Sequence, residues 1–174
     1  LTMSCAITGD YTIDCREAVG GNASVFLIAY NDIESIAEAS GLVTGITKVT
    51  GKRFYEIEIP QATAEGKDSG EGNTENGTLF FNHEVTFPIN KRDATIRNYV
   101  FALAKTRVII VLKEMSGRYT MYGRDFGLWL NAPEGTSGIA GGDRNGYNLT
   151  FTGPQREPVL EVQAAVGEAL TTVG

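Results

Sequence analysis

The side chains suited to catalysis or metal binding are few: one histidine (His83), two cysteines (Cys5 and Cys15) and two glutamates two positions apart (Glu56 and Glu58). A serine or cysteine nucleophile would need His83 as its base. His83 falls on the apolar side of its segment, where a packed or interface histidine is expected instead. Two cysteines and a histidine leave a tetrahedral zinc site one ligand short unless a carboxylate joins them. Glu56 and Glu58 could act as the carboxylate pair of a glycoside hydrolase, but i, i+2 glutamates also mark the wet face of a strand, and that is the expectation here. Gly138, Gly141, Gly142 and Gly146 match neither a phosphate-binding loop nor a dinucleotide fingerprint. The aromatic residues are not interleaved with lysine and arginine as on a nucleic-acid platform. No enzyme chemistry, metal or cofactor is expected.

The segments around these residues carry strand patterns. Arg53–Ile59 sets Tyr55, Ile57 and Ile59 against Glu56 and Glu58. Thr78–Ile89 sets Leu79, Phe81, Val85, Phe87 and Ile89 against Asn82, Glu84 and Thr86. A period of two marks strands with one buried and one solvated face. Between them lie seventeen residues, Gln61–Gly77, with Glu65, Asp68, Glu71, Glu75 and Lys67, four glycines and nothing apolar larger than alanine. Such a segment has little to bury against its ordering entropy, and loops beyond about 12–15 residues are usually functional or disordered. The expectation is a long hairpin, 53–59 with 78–89, whose acidic tip projects toward a partner.

Elsewhere, Val25–Tyr30 reads as a buried strand and Val108–Leu112 as an apolar one, and Leu42–Val49, Tyr119–Arg124, Gly127–Leu130 and Tyr147–Thr152 read as further strands. Asn31–Ser40 is open between a helical turn and a solvated strand. One helix is expected, from about Ala94 to Lys105, with Asp93 as N-cap and Ile96, Tyr99, Val100 and Leu103 on its apolar stripe. Asn131–Asn145 reads as a glycine-rich loop. Beyond Pro154 the pattern lapses, and alanine-rich Glu161–Val173 is open between a frayed helix and an extended arm, so the expectation is a domain over 1–153 and a C-terminal arm over 154–174.

At 174 residues with 21 glycines and five prolines, the chain suits one β-rich domain. No apolar run nears the roughly 18 residues of a membrane helix, and no signal peptide is visible at the N-terminus. The two cysteines, ten positions apart, make no disulfide framework and are expected to be reduced thiols. Net charge is −6, unevenly spread. Residues 1–87 hold 13 acidic and 5 basic side chains, whereas residues 88–174 hold 8 and 10. That asymmetry suits head-to-tail association of copies.

Five segments carry a resemblance: Asp14–Gly21 (DCREAVGG), Ile46–Phe54 (ITKVTGKRF), Asn76–Phe81 (NGTLFF), Asn90-Lys91, and Gly142–Gly153 (GDRNGYNLTFTG). In their order and spacing the chain resembles the major tail proteins of phages, of the tail-tube type. The resemblance implies an antiparallel β-sandwich or barrel with one flanking helix. It implies hexameric rings stacked into a hollow tube within the virion tail, assembled in the host cytoplasm. It also implies contact with other tail proteins and double-stranded DNA passing through without specific binding. On that reading Glu56, Glu58 and Glu84 are candidates to line the lumen. Glu65, Lys67, Asp68, Glu71 and Glu75 are candidates to touch the adjacent ring. The alternatives are a non-enzymatic β-sandwich binding module, or another virion component such as a head–tail connector or decoration protein.

Overall fold

Two apolar runs organise the molecule because both faces of each are buried. In the computed structural model, which describes residues 10, 20–60 and 63–174, they form β1 (Asn22–Ala29) and β7 (Val108–Glu114), paired antiparallel with Leu27 opposite Ile110. Alternate side chains go to opposite sides. Val25, Leu27, Val108, Ile110 and Leu112 enter one core, and Phe26, Ile28, Ile109 and Val111 enter a second. Cys5, Cys15 and Gln61 lie outside the described residues.

The first sheet is completed by β2 (Ile33–Ala39), β3 (Leu42–Lys48), β4 (Tyr55–Ile57), β8 (Tyr119–Tyr122) and β12 (Leu160–Val162), in the order β2-β3-β12-β8-β7-β1-β4. The second contains β5 (Glu65–Asn73), β6 (Thr78–Asn90), β9 (Trp129–Leu130), β10 (Glu134–Thr136) and β11 (Gly146–Gln155), in the order β10-β11-β6-β5 with β9 also beside β11. The sheets meet through the first core, where Phe87 and Phe151 stack with ring centroids 5.7 Å apart. The fold is thus a β-rich sandwich with one main flanking helix.

That helix is α1 (Ala94–Ala104). Asp93 caps it, its carboxylate accepting from the Ile96 N–H at 2.9 Å. Val100 and Leu103 are buried and Ile96 packs beside them. Tyr99, expected on the same stripe, is 39% exposed and sits at its rim.

The expected hairpin is corrected. β4 pairs with β1, Ile57 opposite Val25, and belongs to the first sheet. The partner of β6 is β5, which lies inside the segment read as a loop, with Lys67 opposite Glu84 and Gly70 opposite Phe81. Two of the glycines explain why no alternation was visible. A Cβ on Gly66 would meet the Tyr122 ring and come within 2.7 Å of Leu112 Cδ1, and one on Gly70 would lie 3.1 Å from the Phe81 ring. Neighbouring rings supply the apolar cover that β5 lacks. The flexible tip shrinks to a turn at residues 74–77, where the Asn73 side chain accepts from the Glu75 and Asn76 N–H groups and Gly77 takes φ +65°.

The terminal arm is corrected too. β11 runs on to Gln155, and β12 sits inside the first sheet, parallel to β3 and antiparallel to β8. A short helix follows, α2 (Ala164–Glu168). Leu160, Val162 and Leu170 are buried in the second core with Val43, Phe54 and Met121. Lys48 Nζ donates to the carbonyls of Ala169, Leu170 and Thr172 just beyond the helix, tying that segment to β3. The open segment 31–40 resolves as a 3-10 turn, Tyr30–Asp32, followed by β2, and the glycine-rich loop 131–145 contains β10.

Candidate functional site

Glu84 lies on the face of β6 that points away from the first sheet, between inward-facing His83 and Val85. Register places Lys67 beside it on β5, and the two make an ion pair at 3.1 Å. The same face carries Glu65 and Glu71 of β5, Asn82 and Thr86 of β6, and Thr150 and Thr152 of β11, with the Thr86 and Thr150 hydroxyls 3.4 Å apart. Trp129, 48% exposed, stands opposite Thr152. This is a polar, threonine-rich surface on which four carboxylates, counting Glu134 opposite Asn148, outnumber Lys67 and the Arg144 guanidinium that donates to Asn148.

Glu56 and Glu58 are not on it. Glu56 is opposite Phe26 at the β4 edge of the first sheet, and Glu58 follows that strand. The three carboxylates expected to form one lining are therefore divided between two sheets. The five residues expected on one loop divide as well. Glu65, Lys67 and Glu71 share the outer face, and Glu75 is in the turn. Asp68 points to the opposite side, where its carboxylate accepts from the Val159 N–H at 3.2 Å.

His83 is 2% exposed. Its Nδ1 accepts from the Gly123 N–H at 3.2 Å, and its Nε2 lies 2.9 Å from the Glu157 carbonyl. Both bonds form only with a neutral ring protonated on Nε2. The Tyr122 ring packs edge-on against it. Burial pulls the imidazole below its ordinary range, opposed more weakly by the Glu157 carbonyl and the carboxylates of Asp68 and Asp125. His83 thus fastens the second sheet to the 123–127 turn.

A stability effect follows, with a sign opposite to that of an ion-paired histidine. The folded-state pKa lies below the unfolded value of about 6.5, so the unfolded chain binds the extra proton first. His83's contribution is complete above about pH 6.5 and declines as pH falls from there toward the folded value. The urea midpoint should drop between about pH 6.5 and 5.5, and His83→Gln should flatten that segment of the profile. Equal slopes in the two proteins would contradict this.

Sequence reasoning missed the polar knot beside His83. Gln155, 1% exposed, accepts from the Asp125 and Phe126 N–H groups at 2.9 Å and donates to the Gly127 carbonyl at 3.0 Å. Arg124 bridges to Glu38 at 3.0 Å, and Arg156 bridges to the buried carboxylate of Asp125 at 3.1 Å. Its members come from β2, the 123–127 turn and the end of β11, and nothing in their spacing marks them. Among the described residues no three of His, Cys, Asp and Glu come together as a metal-binding group, and no helix is long and apolar enough to cross a membrane.

Comparison with protein-family models, with curated proteins and with solved structures gave no match.

Proposed function

We propose that this chain is the tube-forming structural protein of a phage tail, assembling into stacked six-fold rings around a lumen that conducts DNA. The observation that carries the reading is the second sheet. It has an open edge at nine-residue β5 and another at β10, and a polar, net-negative outer face. An unpaired edge presents a row of backbone donors and acceptors to another chain. Joining the β5 edge of one copy to the β10 edge of the next is a heterologous contact, which closes into a ring when the rotation per copy divides the circle.

A ring so built turns the outer face of the sheet inward. Duplex DNA carries about one negative charge per 1.7 Å and is held by cationic surfaces through counterion release. Glu65, Glu71, Glu84 and Glu134 against Lys67 and Arg144 would keep the wall from holding it. Glu84 thus remains a lumen candidate, while Glu56 and Glu58, on the other sheet, drop out of that role. The sandwich, its helix and the five sequence segments agree with this reading.

The test is assembly. Purified protein at increasing concentration should give hollow tubes or six-fold rings in negative-stain images, with matching growth in sedimentation. Monodisperse monomers at high concentration would overturn the proposal and favour a binding module.

A further inference from the structure

The β5–β6 hairpin ends in two exposed apolar side chains. Leu79, opposite Gly72, is 66% exposed, and Phe80, opposite Glu71 on the other face, is 39% exposed; Glu75 is in the turn between the two strands. β6 runs thirteen residues from this tip, roughly 40 Å at the usual rise per residue. At its far end Ile89 lies opposite Tyr147, and there a groove of about 200 Å³ opens between α1 and the β10–β11 end of the sheet. Val100, Phe101, Ala104, Pro133 and Tyr147 line it, with Arg97 on its rim. Lys105 Nζ lies 3.9 Å from the Phe101 ring centroid and the Arg97 guanidinium 5.7 Å. Two cations therefore stand over an exposed aromatic.

Tip and groove differ in charge as well as shape. Residues 65–75 carry four carboxylates and one lysine, whereas residues 91–107 carry five cations and one carboxylate. We infer that the groove is the seat for the hairpin tip of a second copy. Leu79 and Phe80 enter against Val100, Phe101 and Tyr147, while Glu71 and Glu75 meet Arg97 and Lys105. Because tip and groove occupy opposite ends of one strand pair, each copy offers a free tip at one end and a free groove at the other. Contacts of that kind continue without limit along the strand direction. The inference rests on the tube reading, for which it names the contact between successive rings.

Charge reversal tests it, since all four charged groups are exposed and the fold should survive, as far-UV circular dichroism can verify. Glu71→Lys with Glu75→Lys repels a native groove, and Arg97→Glu with Lys105→Glu repels a native tip. Each double variant alone should self-associate about tenfold or more weakly than the unaltered chain. An equimolar mixture of the two should recover, because every alternating contact then joins opposite charges. Leu79→Ser with Phe80→Ser should weaken association while leaving its salt dependence in place.

Variants that assemble as well as the unaltered chain, or a mixture no better than its parts, would overturn the groove assignment while tubes in the same images would keep the tube reading. Recovery in the mixture that yields open strands without rings would retain the groove and end the tube reading. An unaltered chain that stays monomeric would end both.

Discussion

A chain ended at Pro158 should not fold. The deletion removes β12 from between β3 and β8 and takes Leu160, Val162 and Leu170 out of the second core, uncovering Val43, Phe54 and Met121. Burying an apolar side chain of this size contributes about 1.5–3 kcal/mol. Three of them approach the 5–15 kcal/mol that separates a typical folded domain from its unfolded state. The backbone bonds of β12 and the Lys48 hydrogen bonds to residues 169–172 are lost besides. Expression should give aggregated protein, or soluble protein without a cooperative thermal transition. Leu170→Ala offers a graded version, expected to cost about 2–5 kcal/mol. A truncated chain that melts sharply within a few degrees of the full one would show that residues 159–174 are dispensable after all.

The second large effect is expected where the two sheets meet. Phe87 and Phe151 are fully buried and nearly parallel, at 11° between ring planes. Each sits beside an inward-facing partner in register, Phe87 by Leu149 and Phe151 by Val85. Phe87→Ala and Phe151→Ala should each cost about 3–5 kcal/mol, as transfer free energy and cavity formation add. The pair should also be coupled. The double variant should fall short of the two single costs combined by about 0.5–1.5 kcal/mol, the part belonging to ring–ring contact. Urea unfolding with unchanged slopes measures all three. Single costs below about 1 kcal/mol would mean that the sheets are held elsewhere.

These two predictions differ in how far the sequence foretold them. Phe87 was legible, set with Val85 and Ile89 against Glu84 and Thr86, and Phe151, between Thr150 and Thr152, carries the same period-two pattern. β1 and β7 were legible from short, β-branched-rich runs apolar at every position, as a strand covered on both sides carries. The helix was legible from the Asp93 cap and the spacing of Ile96, Val100 and Leu103. Each of these signals is local, set by side chains on the element itself. β12 was not legible, because three residues placed inside a sheet have too short a period to read. Their burial depends on β3 and β8, more than a hundred and about forty positions away.

The candidate site divides in the same way. Polarity of the residues between Ile59 and Thr78 was plain, and so was the wet face of Glu84. That β5 is a strand was decided by tertiary structure. Backbone hydrogen bonds to β6 are indifferent to side-chain type, and the rings of Tyr122 and Phe81 fill the space over Gly66 and Gly70. The same pairing brought Lys67 to Glu84, turned Asp68 inward, and left Glu56 on the other sheet. The sequence by itself determined which surfaces would be wet, apolar or charged, because those properties belong to single side chains. Which surfaces would share a face, and which glycine-rich segment would become an edge, was left to the tertiary structure, because strand partners are chosen across the chain by shape and register.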